Sequence, residues 1–361
     1  MDVETKVAIL KEFADEIITE QELWAIFDTN DHPIAYDGFE PSGIAPIHFG
    51  LLRARNLKKM IEVGIHFKLY LADYFAFINN KLGGDLKAIR TAGEYFVEVW
   101  KACGIDTQKV EIIWAKDLMD GIDYWDRFMR VGKATTMERI SRAVTIMGRK
   151  EGEKISAAQL FYPAMQVTDI FQLDVDVCQL GADQRRANVL AREIADKYGW
   201  KKPAAVHHPL LLGLQGIPQG VDIVSNPDSM IEYKMSKSKP KSCIYMHDSY
   251  DAIKEKINGA YCPERIVEGN PLLNYLKYVL LKDAKENITI ERPDRFGGKF
   301  EATGYDELEY AYRKGMLHPL DLKGFVADKL EEQIKPVREH FEKDKHAKEL
   351  YEAVKKFNIT R

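Results

Sequence analysis

The sequence predicts an α/β protein: a doubly wound parallel sheet carrying a helical insertion, followed by a separate, mostly α-helical domain. Three observations carry this prediction. Between residues 34 and 210, short apolar runs alternate with longer segments of helical periodicity. From about 116 to 160 the alternation gives way to consecutive helical patterns, and beyond about 246 the strand-like runs stop. Alternation of the first kind implies right-handed crossovers between parallel strands.

The elements follow in order. IAYDGF reads as the first strand, and GLLRARNLKKMIEVG as a helix with Leu52, Leu57, Met60 and Ile61 at the spacing of one face. FKLYLAD is strand-like. DLKAIRTAGEYFVEVWKACG is a helix, with Asp85 as its N-cap and Gly104 just past its end. KVEIIWA, VDVCQLG and AAVHH supply three further strands, the last two separated by the helix ADQRRANVLAREIADKYG. The insertion GIDYWDRFMRVGKATTMERISRAVTIMGRKEG reads as helices without a strand, and the tail as mostly helical. The expected organisation is a sheet domain over 1–230 with its insertion at about 116–160, a loop and linker over 231–245, and a helical domain over 246–361.

Composition excludes several classes. The chain has 361 residues, of which 45% are hydrophobic and 30% charged, so a sizeable core forms and disorder is not expected. No apolar stretch reaches the eighteen or so residues of a membrane span. The opening MDVETKVAILKEFADEIITEQEL is acidic and helix-patterned, unlike a signal or transit peptide. Cys103, Cys178, Cys243 and Cys262 lack CxxC spacing, which argues against zinc and disulfides and for a reducing cytoplasm. With a net charge of −4, nucleic acid has to be held by local patches.

Two stretches carry chemistry. Open parallel sheets bind ligands beyond the carboxyl ends of their strands. The first strand runs into EPSGIAPIHFG and then a helix, whose N-terminus offers N–H groups to phosphate. His48 adds a donor there, and Gly50 leaves room for a flat base to approach the backbone. Taken alone, this is also what an ordinary glycine-containing loop looks like. The second stretch is YKMSKSKPKS, whose four lysines and three serines between 231 and 242 could be a solvated linker.

Together, H-x-G after the first strand and KMSKS after the last resemble the signature pair of the class I aminoacyl-tRNA synthetases. YDGFEPSG, FYPAMQVTDIFQLDVDVCQLGADQRRA, YCPERIVEGNP, RPDRFGG and LHPLDLK extend the likeness over nearly the whole chain, to the archaeal-type tyrosyl-tRNA synthetases. The resemblance implies a Rossmann-like catalytic domain and an anticodon-binding helical domain. It also implies a ligase that activates tyrosine with ATP and transfers it to the 3′ end of tRNA(Tyr). The alternatives are a tryptophanyl enzyme on the same scaffold and a non-catalytic RNA-binding paralogue. His48, Lys234 and Lys237 would be catalytic. Gly38, His48, Gly50, Asp183, Lys234, Met235, Ser236, Lys237 and Ser238 would bind ATP. Mg²⁺ would arrive with the nucleotide rather than at a resident metal site. Mobile ammonium groups suit charge building on a leaving pyrophosphate.

A phenol in an apolar pocket needs a donor and an acceptor. By resemblance Tyr36 and Asp169 supply them, while Tyr162, Gln166 and Gln184 take the substrate's ammonium and carboxylate. Tyr162, Gln166 and Asp169, at i, i+4 and i+7, share one helix face. Between 127 and 150, seven basic residues face one acid, Glu138, a local phosphate footprint. The resemblance places Arg142, Arg185 and Arg186 on the acceptor stem, and Phe296, His318 and Asp321 on the anticodon. It makes the insertion, with its apolar Trp125, Phe128, Met129, Ile140, Val144 and Met147, the seam of a homodimer. Phe75 stands where many relatives carry histidine, and Leu51 where the full first signature has a second histidine.

Overall fold

The computed structural model describes residues 1–148, 153–221, 230–237, 239–281 and 285–357. The chain forms two compact units. One comprises Met1–Gly43, Asn56–Pro209 and Glu349–Arg361, the other Ile44–Arg55 and Leu210–Lys348.

The first unit is built on a six-stranded sheet: β1 (Glu16–Ile18), β2 (Ile34–Phe39), β3 (His66–Leu71), β4 (Val110–Trp114), β5 (Val177–Gly181) and β6 (Ala204–His208). Their order is β1-β6-β5-β2-β3-β4. Strands β2 to β6 are parallel, as the alternation predicts. Every residue of β5 and β6 is buried, as expected where helices cover both sheet faces. Strand β1 corrects the expectation of a wholly helical N-terminus. It lies antiparallel on the edge of β6, pairing Glu16 with His207 and Ile18 with Ala205. Three residues are too few to interrupt a helical pattern, and their partner lies far along the chain.

The helix Leu86–Ala102 starts at Asp85, whose side chain accepts from the N–H groups of Lys87 and Ala88. It reaches β4 through Gly93, where a Cβ would lie 2.4 Å from the Trp114 ring. The described part of the insertion holds the helices Ala115–Leu118, Ile122–Ala134 and Met137–Ala143 and the 3₁₀ turn Val144–Met147. Ile140, Val144 and Met147 join the core under the sheet, so they are not the surplus apolar surface expected from the sequence. Trp125 and Met129 stay exposed, at 42% and 67%, along with Ile122 and Phe161.

In the second unit, the long helix Pro319–Lys343 buries Leu322, Val326, Leu330, Ile334, Val337 and Phe341 along one face. The tail is mostly helical, as expected, and also carries a hairpin that the sequence reading did not pick out, β7 (Asn287–Ile290) against β8 (Phe300–Thr303), in which buried and exposed residues alternate.

Candidate active site

Strands β2 and β5 are neighbours in space but not in sequence, so the strand order reverses between them. A ligand site is expected beyond their carboxyl ends. Gly38 lies near the end of β2 and Glu40 just beyond it; Asp183 and Gln184 sit on the 3₁₀ turn Ala182–Gln184 that leaves β5. The helix Ala157–Gln172 adds Tyr162, Gln166 and Asp169, all buried. That helix is fixed at its start by a capping box, in which Ser156 and Gln159 satisfy each other's backbone donors.

Two groups of polar atoms result. In the first, the Tyr124 hydroxyl donates to Asp169 Oδ1 at 2.8 Å. Asp169 Oδ2 and the hydroxyls of Tyr36 and Tyr70 are buried without a hydrogen-bond partner. Burial pushes the Asp169 carboxyl up to about 8, opposed by the hydroxyls of Tyr124 and Tyr70. The Tyr70 hydroxyl is close enough to act on the carboxyl but closes no hydrogen bond with it. Burial also drives the phenols of Tyr36, Tyr70, Tyr124 and Tyr162 upward, so they remain protonated donors.

In the second group, the Tyr162 hydroxyl donates to Glu40 Oε1 at 2.7 Å. The Asn79 amide reaches both Glu40 oxygens and the Met147 carbonyl, each at 3.1 Å, and Lys81 Nζ lies 3.5 Å from Glu40. Gln166 donates to Gln184 at 3.2 Å, and Gln184 to the Ile146 carbonyl at 3.1 Å. Phe75 packs edge-on against Tyr162, ring centroids 4.7 Å apart, and against Tyr70 at 6.2 Å. One carboxyl and two hydroxyls suited to a hydroxyl group, beside an anionic and amide-rich group suited to a zwitterion, can hold a hydroxylated aromatic amino acid.

Sequence reasoning brought Tyr36, Tyr162, Gln166, Asp169 and Gln184 together but missed Glu40, Tyr70, Asn79 and Tyr124. Glu40 and Tyr70 carried a signal, since both lie at the carboxyl ends of adjacent parallel strands. Tyr124 carried none, because it reaches the pocket from the insertion.

The second unit holds the other signature residues. Residues 45–47 pair antiparallel with 244–246 through Ile47 N–H to the Ile244 carbonyl at 3.0 Å and Met246 N–H to the Ala45 carbonyl at 2.9 Å. His48 opens a π turn, His48–Leu52, before the helix Arg53–Glu62. The open helix N-terminus expected there is narrower than predicted, because the N–H groups of Phe49 and Gly50 both bond the Pro46 carbonyl at 3.0 Å. The space beside Gly50 is filled rather than open: a Cβ would lie 2.4 Å from Met246 Sδ. Close packing against Met246 is one reason for glycine here.

Met235 is buried and its N–H bonds the Leu211 carbonyl at 2.7 Å, while Lys234 bridges to Leu212. The loop beyond is folded back by Lys239 N–H to the Ser236 carbonyl at 3.0 Å and by the Tyr245 hydroxyl on the Lys237 carbonyl at 3.4 Å. Ser238 lies outside the described residues.

The residues expected to meet RNA are partly engaged within the protein. Arg185 makes a two-oxygen contact with Glu16 at 2.9 and 3.0 Å. Arg186 donates to the Arg142 carbonyl at 2.7 Å and to the Thr145 hydroxyl at 3.2 Å, and Arg142 lies 3.7 Å from Glu138. The footprint between 127 and 150 is less bare than its sequence, since Arg139 pairs at 2.8 Å with Glu193 from a distant helix, and Arg127 donates to the Phe171 carbonyl. Arg149 and Lys150 fall outside the described residues. His318 caps the helix Pro319–Lys343, its Nδ1 accepting from Leu320 N–H at 3.2 Å, and Asp321 sits in the first turn. Phe296 ends the 3₁₀ turn Asp294–Phe296; its side chain is outside the description. Among the described residues no His, Cys, Asp and Glu cluster could hold a metal ion, and no helix is long and apolar enough to cross a membrane.

The family model for class I tRNA synthetases (W and Y) matches residues 28–335. The chain is 42% identical to the Arabidopsis thaliana protein "Tyrosine--tRNA ligase 1, cytoplasmic" over 363 residues, covering all of this chain and 90% of that one. It is 42% identical to the tyrosine–tRNA ligase of Sulfurisphaera tokodaii, covering all of this chain and 99% of that one. The crystal structure of the Pyrococcus horikoshii tyrosyl-tRNA synthetase complexed with L-tyrosine superposes with a TM-score of 0.90 at 36% identity, over 98% of this chain and 100% of that one.

Proposed function

Since the chain belongs to the class I tRNA synthetases, in their archaeal-type tyrosyl branch, its reaction is the ATP-driven ligation of tyrosine to tRNA, and we propose which of its residues carry that reaction. The tyrosine carboxylate attacks the α-phosphorus of ATP, the bond to the β-phosphate breaks, and pyrophosphate leaves. A ribose hydroxyl of the terminal adenosine of tRNA(Tyr) then attacks the acyl carbon, and AMP leaves.

Tyr36 and Asp169 read the phenol, Asp169 accepting its proton and Tyr36 donating to its oxygen. Tyr124 is the positioning residue that occupies Asp169 Oδ1 and turns Oδ2 toward the substrate. Glu40, Tyr162, Gln166 and Gln184 hold the ammonium and carboxylate. Gly38, His48, Gly50, Asp183, Lys234, Met235, Ser236, Lys237 and Ser238 are assigned to ATP. His48, Lys234 and Lys237, with the Mg²⁺ that accompanies ATP, would neutralise charge on the departing pyrophosphate. No covalent intermediate and no side-chain general base is required; positioning and charge stabilisation suffice.

Arg142, Arg185 and Arg186 are assigned to the acceptor stem, and Phe296, His318 and Asp321 to the anticodon. Trp125 and Met129 would seat a second copy of the chain in a homodimer, and the protein would work in the cytoplasm. The roles follow a catalytic domain over 1–230, the loop and linker 231–245 and an anticodon-binding domain over 246–361.

The observation that carries the pocket assignment is the pair of buried, unpartnered atoms, the Tyr36 hydroxyl and Asp169 Oδ2. Such atoms cost about 1–3 kcal/mol each while unsatisfied, and a phenol hydroxyl satisfies both. ATP–pyrophosphate exchange with tyrosine, tryptophan and phenylalanine tests it. Exchange should depend on tyrosine and collapse in Asp169→Ala, and retention of the parent's tyrosine-to-phenylalanine preference in that variant would remove the assignment.

A further inference from the structure

We infer that Tyr70 is a third reader of the substrate's phenol hydroxyl, completing with Tyr36 and Asp169 a socket that uses every hydrogen-bonding position of that one group. The inference rests on the reading of Tyr36 and Asp169 as the phenol-binding pair.

Strand register brings the three residues together. Tyr70 on β3 pairs with Gly38 on β2, two residues beyond Tyr36. Alternate residues of a strand share a face, and directly paired residues in neighbouring strands lie side by side on it. Tyr36, Gly38 and Tyr70 therefore stand on one face, with glycine between the two tyrosines. A Cβ at Gly38 would lie 3.4 Å from the Tyr70 ring and 3.7 Å from the Tyr36 ring. The small residue lets the two phenols come together, and both hydroxyls are drawn into the field of Asp169.

The unsatisfied atoms then decide the role. Tyr124 already occupies Asp169 Oδ1, so the carboxylate has one open oxygen. The Tyr36 and Tyr70 hydroxyls are both buried donors without a partner. The socket thus presents one acceptor and two donors. A phenol hydroxyl offers one donor and two lone pairs, which is the complement of that set. With Tyr36 and Asp169 alone, one lone pair of the substrate would remain unmatched and the Tyr70 hydroxyl would stay orphaned. The ring of Tyr70 is packed edge-on by Phe75, at 80° between ring planes, so its hydroxyl is held in place by an apolar neighbour that does not compete for it.

The experiment compares the parent with Tyr70→Phe and Tyr36→Phe, each of which removes one oxygen and keeps the ring. ATP–pyrophosphate exchange gives kcat/KM for tyrosine and for phenylalanine between pH 6 and 9. Tyr70→Phe should lower kcat/KM for tyrosine by about tenfold, while the phenylalanine value holds or rises because an orphaned hydroxyl has been removed. The phenylalanine reaction therefore also reports that the variant is folded. The acid limb of the tyrosine profile should move to higher pH, since the Tyr70 hydroxyl helps to hold the Asp169 carboxyl down. An equal loss for both amino acids would mean that Tyr70 only supports the fold, and would overturn the inference. An unchanged ratio in Tyr70→Phe with a reduced ratio in Tyr36→Phe would overturn it while sparing the Tyr36–Asp169 pair. An unchanged ratio in both variants would remove the pair as well.

Discussion

Replacing Asp169 with asparagine should make the protein more stable at alkaline pH while damaging its specificity. The carboxyl titrates near 8 in the folded chain, against an ordinary 3.8, because burial outweighs the hydroxyls that face it. Between those two values the folded chain binds one more proton at this site than the unfolded chain. Stability therefore falls as pH rises through the window from about 4 to about 8, and this contribution is flat outside it. Four units at about 1.4 kcal/mol each set the scale of the loss at about 5 kcal/mol, with none of it incurred at pH 4 and all of it by pH 9.

The substituted carboxamide would stay neutral throughout and keep a carbonyl oxygen for the Tyr124 hydroxyl, so the Asp169→Asn variant lacks that decline. Urea unfolding of parent and variant at pH 5.5, 7 and 9 isolates the effect, because every other titrating group is common to both. From pH 5.5 to pH 9 the variant should gain about 3 kcal/mol on the parent, on top of about 2 kcal/mol already gained between pH 4 and pH 5.5. A stability difference that is the same at all three pH values would refute the reasoning, and with it the burial of an ionisable carboxyl at the phenol site.

Three further outcomes are expected. Gly50→Ala should cost about 1–3 kcal/mol by overpacking, since its Cβ would meet Met246 Sδ at 2.4 Å and Met246 is buried; a urea midpoint equal to the parent's would show that the methionine yields freely. Lys237→Ala should slow tyrosine activation by about 3 kcal/mol of barrier, the scale of one lost transition-state contact, with tyrosine affinity barely altered; stopped-flow rates equal to the parent's would dismiss the assignment. Glu at both Trp125 and Met129, exposed at 42% and 67%, should convert a dimer into monomers in sedimentation, and a parent that is already monomeric at micromolar concentration would end that reading.

What the sequence discloses divides along a physical line. Periodicity exposes elements that bury a face by themselves, so the helix Ala157–Gln172 and its stripe of Tyr162, Gln166 and Asp169 are legible. Strands β5 and β6 are legible because burial on both faces makes them continuous apolar runs. Pairings between distant segments are not. Strand β1 is short enough to pass for part of a helix, and β7–β8 alternates over only four residues a strand inside a helical tail. In the pocket, residue type and strand-end position pointed to Tyr36, but Tyr124 belongs to an insertion that its own pattern describes only as an amphipathic helix. Gly50 shows the same limit: the H-x-G spacing marks the residue, while its neighbour Met246 comes from the far end of the KMSKS loop.

The antiparallel edge strand has a bearing on how the chain is made. During synthesis Glu16–Ile18 leaves the ribosome roughly 190 residues ahead of its partner Ala205–His207, a delay of roughly 10–40 s at ordinary translation speed. For that interval the segment lacks the one strand it pairs with. Once β6 appears, its outer edge is a row of unpaired backbone groups on an apolar strand, the feature by which nascent chains stick to one another. The early segment is already in the same molecule and caps that edge as soon as it forms. What remains outermost is a strand of three residues opening with a glutamate, too short to recruit another chain. The order of synthesis thus supplies the guard before the edge it guards.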